Sequence, residues 1–121
     1  REREIVADGP TENHGIEGVR LLGAVALSGE FPGMQGQELR AREIVIAPGG
    51  IIAVHRHEQR PGVAFILEGE IVEPRNDADG PILRRVGDAA FETTGVIHWW
   101  ENTSDAQVRA LIVDIVRSEG H

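Results

Sequence analysis

A chain of 121 residues is the length of one domain, which at this size buries about two-thirds of the surface its unfolded chain exposes. The net charge of −8, with every basic residue an arginine and no block of them, argues against a nucleic-acid surface. The absence of cysteine removes disulfides, thiolate metal sites and thiol nucleophiles, and no apolar run approaches the ~20 residues of a membrane-spanning helix.

Residues 1–18 are polar and broken by Asp8-Gly9-Pro10, Gly15 and Gly18, and they read as an arm that wraps the rest of the chain or pairs with a partner subunit. His14 lies in it as a surface residue. Val19 to Leu27 is an apolar run of strand length, followed by the loop S-G-E-F-P-G-M-Q-G. Glu38 to Ala47 alternates as a strand does, with Leu39, Ala41, Glu43 and Val45 on one face and Arg40, Arg42, Ile44 and Ile46 on the other. Pro48-Gly49-Gly50 reads as a turn into a strand over Ile51 to His57. In an extended strand alternate side chains share a face, so His55 and His57 present two imidazoles to one side, close enough to share a metal ion.

Val63 to Leu67 and Ile71 to Arg75 read as a hairpin with a two-residue turn at Glu68-Gly69. That register gives Gly62, Ala64 and Ile66 one face in common with Ile71, Glu73 and Arg75. After the turn-rich loop at 76–81, short strands are expected over Ile82 to Val86 and Ala89 to Glu92. Thr93-Thr94-Gly95 then turns the chain into Val96 to Glu101, where His98 and Trp100 share a face opposite Trp99. Val108 to Val116, apolar except for Arg109 and Asp114, has the pattern of a strand buried on both sides. Short strands at regular spacing, without a helical period, indicate an all-β barrel or sandwich.

Two stretches, Gly49 to Gly69 and Gly87 to Asn102, resemble the paired signatures of the cupin superfamily, G-x5-H-x-H-x(3,4)-E-x6-G and G-x5-P-x-G-x2-H-x3-N. Gly49, His55, His57 and Gly69 keep the first spacing, and Gly87, Gly95, His98 and Asn102 keep the second, within about residues 38–116. Thr93 stands where the family has proline, and Gly62 where it has a metal-binding glutamate. The resemblance implies a single-domain β-barrel of jelly-roll type over residues 19–121, with His55, His57 and His98 around a divalent transition metal. Three neutral imidazoles suit Zn, Fe, Ni, Cu or Mn and leave coordination positions open.

With Gly62 unable to ligate, Gln59, which shares the parity of His55 and His57, and Glu73, from the neighbouring strand, are the two candidates for a fourth ligand. Glu73 is also the candidate general base if burial raises its pKa. Arg75 and Trp100 are candidates to line the pocket, and Asn102 to fix the turn after its strand. The expected function is a small dioxygenase-like metalloenzyme acting on an oxygenated or carboxylate-bearing molecule, the alternative being a non-catalytic small-ligand-binding module. Lyase, isomerase and epimerase chemistries share this scaffold. A homodimer is the expected assembly, because cupins commonly pair through N-terminal strands. The compartment is open: cytoplasmic, or periplasmic or secreted if the start at Arg1 reflects a removed signal peptide.

Overall fold

Glu38 to His57, expected as two strands about a turn, is almost all one bent strand, and the rest of the fold is built on it. The computed structural model describes residues 9–118. Strand β2 (Gln37–Arg56) follows β1 (His14–Ala26), and after it come β3 (Gly62–Glu68), β4 (Glu70–Glu73), β5 (Ile82–Arg85), β6 (Ala89–Glu92), β7 (Ile97–Glu101) and β8 (Val108–Arg117). All pairings are antiparallel, in the order β5-β4-β7-β2-β8-β3-β6 with β1 also on β2, and the sheet curls into a nearly closed barrel. The first half of β2 pairs with β1 and β8, the second with β7, so this strand joins the two sides of the jelly roll.

The bend falls at Pro48-Gly49-Gly50. Gly49 has φ 79°, a left-handed conformation that costs other residues energy. Asn102 holds the bend from within the barrel: its backbone exchanges hydrogen bonds with Gly49 and Gly50 at 2.8 and 2.9 Å. Its buried side-chain amide donates to the carbonyls of Ile46, Ala47 and Ala106 at 3.2, 3.1 and 2.8 Å, and its Oδ1 accepts from the Ser104 N–H and hydroxyl. Asn102 therefore fixes the turn after β7 and the bend of β2 together.

The hairpin expected between 63–67 and 71–75 does not form. β3 lies between β8 and β6, and β4 between β5 and β7. A tight two-residue hairpin needs positive φ at its first central residue, and Glu68 does not have it; only Gly69 does, at 81°. Glu68-Gly69 is instead a corner that passes the chain across the barrel, with Gly69 packed so closely that a Cβ there would lie 2.5 Å from the Gln107 carbonyl. Glu73 and Arg75 are nonetheless buried, placed by β4 and by an isolated bridge from Arg75 to His98.

β1 begins at His14, so a boundary at residue 18 falls inside a strand. Register shifts beside Gly15, Gly18 and Gly23 interrupt its ladder with β2, which hides the strand's period. The described part of the arm wraps the barrel: the Pro10 carbonyl accepts from Val54 N–H at 2.9 Å, and Asn13 Oδ1 from Ala53 N–H at 2.7 Å. Residues 1–8 and 119–121 lie outside the described residues.

Inward residues of β2, β3, β4, β6, β7 and β8, namely Ile44, Ile46, Ala64, Ile66, Ile71, Ala90, Trp100, Val108 and Ala110, make one apolar core. One row departs from this pattern. Arg40 on β2 pairs with Asp114 on β8, Asp114 with Gly62 on β3, and Gly62 with Glu92 on β6. Residues directly opposite share a face, so this polar row crosses the inner wall of the barrel next to the histidines.

Candidate metal centre

His55 and His98 are direct partners across β2 and β7, and His57 follows just beyond the end of β2. The three rings lie with centroids 4.3 to 5.0 Å apart. Each has its Nδ1 against an acceptor: His55 against the Ala53 carbonyl at 2.9 Å, His57 against the Arg60 carbonyl at 3.3 Å, and His98 against Glu73 Oε2 at 2.6 Å. A carbonyl or carboxylate oxygen can only accept, so each Nδ1 carries the hydrogen, and in the neutral form of the ring that leaves a bare Nε2 lone pair turned inward. These lone pairs converge, with His98 Nε2 lying 2.9 Å from His55 Nε2 and 3.0 Å from His57 Nε2. On a metal about 2.0–2.1 Å from each nitrogen, right-angle neighbours stand about 2.9 Å apart.

His55 and His57 are held neutral. Burial, then the neighbouring His98, pulls His55 from 6.5 to about 4, and burial, then His55 and His98, pulls His57 to about 3. Lone pairs aimed at one point repel unless a cation stands between them, so the donor set itself fits a divalent transition metal.

A carboxylate joins the histidines, from a residue that the sequence reading did not single out. Glu92 is buried, with Oε1 3.4 Å from His57 Nε2 and Oε2 3.3 Å from His98 Nε2. It is the register partner of Gly62, the position that lacks the family's glutamate. Burial pushes its pKa up, as it does for a carboxylate with no direct cation partner. Gly62 itself has no room for a side chain, since a Cβ would lie 2.7 Å from Asp114 Cβ and 2.8 Å from the Val113 carbonyl.

Of the two residues considered for a fourth ligand, Gln59 lies on an exposed turn with φ 55°, its N–H donating to Thr94 Oγ1 at 3.1 Å. β2 ends at Arg56, so strand parity does not carry to position 59. Glu73 stands behind His98, away from the cavity. It binds His98 Nδ1, Arg84 Nε at 2.7 Å and Arg75 Nη1 at 3.3 Å. Burial raises its pKa, but the hydrogen bonds from His98 and Arg84 outweigh that and hold it to about 2. That low pKa makes it a fixed anion that orients His98, unsuited to take a proton near neutral pH. Arg75 is engaged by Asp77 at 2.7 and 3.0 Å and by the Phe91 carbonyl at 2.8 Å, and it does not line the cavity. Trp100 does.

The cavity in front of the histidines has a volume of about 170 Å³. Ile16, Ile44 and Ile52 form apolar walls, while Arg42, Arg60 and Trp100 bring polar groups.

The Cupin domain family matches residues 42–114, more than half of the chain. This chain is a cupin. It is 35% identical over 71 residues to the "Oxalate-binding protein" of Thermotoga maritima, an alignment covering 59% of the chain and 57% of that protein. It is 25% identical over 91 residues to germin-like protein 8-14 of Oryza sativa subsp. japonica, covering 72% and 43%. The cupin chain thus spans well under two-thirds of these curated relatives' lengths. Among solved structures it resembles TT1209 from Thermus thermophilus, with a TM-score of 0.58, 25% identity and coverage of 78% and 82%. Oxalate oxidase in complex with glycolate shares the fold at a TM-score of 0.62 and 17% identity, covering 88% of the cupin chain and 57% of the oxidase.

Proposed function

We propose that this cupin holds a divalent transition metal on His55, His57 and His98, and that it works as a small dioxygenase-like metalloenzyme on a carboxylate-bearing molecule bound in the adjoining cavity. The observation that carries the reading is the commitment of all three Nδ1 atoms to acceptors, which leaves three Nε2 lone pairs converging on one point. Glu92 supplies the carboxylate that Gly62 cannot, from the next strand, directly or through a water. A bound Zn, Fe, Ni, Cu or Mn ion offers Lewis acidity or a place beside which O₂ is activated. The chain's own part is to hold the rings in one tautomer through Ala53, Arg60 and Glu73, and to wall the site with Ile16, Ile44 and Ile52.

The name of the Thermotoga relative supports the ligand class, and it equally supports a second reading in which the barrel binds a small acid and catalyses nothing. Glu73, the one base candidate from the sequence, is committed to His98, which favours that second reading over proton-transfer chemistry. O₂ consumption by the metal-loaded protein with small carboxylic acids separates the two. Turnover lost in His98→Ala supports the enzyme, and binding without turnover supports the module.

A homodimer belongs to the same proposal. β1 is an edge strand that exposes Val19, Leu21, Leu22 and Val25, an apolar edge suited to a second copy. Light scattering checks it, and a monomer mass would end the idea.

A further inference from the structure

The second half of β2 is not a regular strand. Ile52 faces Trp100 and His55 faces His98 across β7, so Ala53 and Val54 together stand opposite Trp99 alone. Two residues against one is a β-bulge, and a bulge re-aims the side chains that follow it. Ile52 and His55 are three residues apart, a spacing that sends side chains of a regular strand to opposite faces. Both line the cavity. His55 therefore reaches the metal centre only because of the bulge at Ala53-Val54.

A bulge takes backbone donors out of the ladder, and they need other acceptors. Both N–H groups of this one go to the N-terminal arm: Ala53 N–H donates to Asn13 Oδ1 at 2.7 Å, and Val54 N–H to the Pro10 carbonyl at 2.9 Å. The second bond bears on the histidine. The Val54 N–H and the Ala53 carbonyl belong to one planar peptide group, and that carbonyl accepts from His55 Nδ1 at 2.9 Å. One peptide group is thus gripped by the arm on one side and orients His55 on the other, and hydrogen bonds in such a chain strengthen one another. The arm lies tight here: a Cβ on Gly9 would stand 2.6 Å from Val54 Cγ2 and 2.6 Å from Trp99 Nε1. Asn13 and Ile16 also line the cavity.

We propose that the segment from Gly9 to Asn13 is a positioning clamp for His55. Docked, it fixes the bulge, the ring and the Nδ1–H tautomer; lifted, it releases one of the three metal ligands. This rests on the metal-binding reading and adds to it a part for the arm. Coupling of this kind is reciprocal, so metal on the three histidines tightens the arm by as much as the arm tightens the metal. Gly9, Pro10 and Asn13 act through Ala53 and Val54 and are positioning residues.

The test uses Zn as the probe and the full chain, in the wild type, Gly9→Val, Asn13→Ala and Asn13→Asp. Chelator competition should show Zn affinity lower by about tenfold or more in Gly9→Val. Asn13→Ala, which loses one hydrogen bond, should lose about threefold or more. Asn13→Asp keeps the acceptor for the Ala53 N–H and should lose no affinity. In metal-free Gly9→Val and Asn13→Ala, nitrogen-15 spectra of the imidazoles should show the Nδ1–H tautomer depleted at His55, while His57 and His98 keep it. In the wild type, Zn should slow hydrogen exchange at the Ala53 and Val54 amides. Three results would each overturn the clamp: wild-type affinity in both Gly9→Val and Asn13→Ala, a loss of affinity that leaves the His55 ring unchanged or disturbs all three rings alike, or exchange at Ala53 and Val54 that is indifferent to Zn. Melting curves identify a Gly9→Val preparation that has not folded, and Asn13→Ala, at an exposed position, then decides. If the wild type takes up no Zn, the metal reading fails by itself. The spectra of the metal-free proteins then decide the clamp, which stands if the variants deplete the His55 tautomer and falls if they do not.

Discussion

Gly62 and Glu92 face each other across β3 and β6, and the carboxylate missing from the first position reaches the histidines from the second. Position 62 is closed to any side chain by Asp114, whose Cβ would lie 2.7 Å from an added Cβ. The acid has in effect moved one strand over.

Glu92→Gln should therefore lower metal affinity by about ten- to a hundredfold, in the range seen when a carboxylate supporting a metal site is removed, with little change in melting temperature for the metal-free protein. Gly62→Glu should not repair it. Even Gly62→Ala should destabilise the barrel by about 1–3 kcal/mol through overpacking. Competition against a chelator reads the first effect and denaturant melts the second.

Glu73→Gln tests the orienting role. A neutral amide can turn its N–H₂ toward His98 Nδ1, which favours the wrong tautomer and takes the lone pair away from the cavity. Arg84 loses its charged partner as well. Metal affinity should fall about tenfold or more. Any activity should fall at all pH values without a shift in its pH profile, because a group held to about 2 does not titrate in the working range. A shifted acidic limb would make Glu73 a proton-transfer group after all.

Acid should unfold the metal-free protein early. His55 and His57 have folded pKa values of about 4 and about 3 against 6.5 for a free imidazole, so below pH 6.5 the unfolded chain binds protons that the folded one refuses. Stability falls with pH from about 6.5 down toward those folded values. Glu73 adds to the loss between its ordinary 4.5 and about 2. Metal occupying the three Nε2 atoms should move the onset to lower pH. Thermal melts from pH 7 to 4, with and without metal, measure this.

Asn102→Asp should be more damaging than its size suggests. The amide donates to three carbonyls, and a carboxylate donates to none. Stability should fall by about 3 kcal/mol or more, each buried unpaired group costing ~1–3 kcal/mol, with Asn102→Ala of similar magnitude. Loss of the β2 bend would show in parallel as reduced metal uptake, since His55 lies just beyond it on the same strand.

What was legible in the chain was local. The period-2 alternation of Arg40, Arg42, Ile44 and Ile46 against Leu39, Ala41, Glu43 and Val45 depends on neighbours in sequence and reads correctly as strand, and the His55-x-His57 spacing brings the two rings together although β2 ends at Arg56. Glu92 was invisible because its place beside the histidines comes from the pairing of β3 with β6, and the hairpin inferred from Glu68-Gly69 gave β3 the wrong neighbour. The same error still placed Glu73 inside, since parity along β4 survives a change of partner, while Arg75 is buried beyond the end of β4 by its isolated bridge to His98. The start of β1 was missed because its register shifts near Gly15, Gly18 and Gly23 break the alternation that marks a strand. Gln59 departs from the face of the histidines because the chain turns there, with φ 55° at Gln59 itself, two residues beyond His57.

The central claim, that three lone pairs converge to hold one metal ion, is tested most directly by counting metal. Protein purified without added metal, and again after exposure to Fe, Ni, Zn or Mn and desalting, should carry about one equivalent of a transition metal by elemental analysis, and folded His98→Ala should carry almost none. No uptake of any of these ions by the wild type, or full uptake by His98→Ala, would contradict the account.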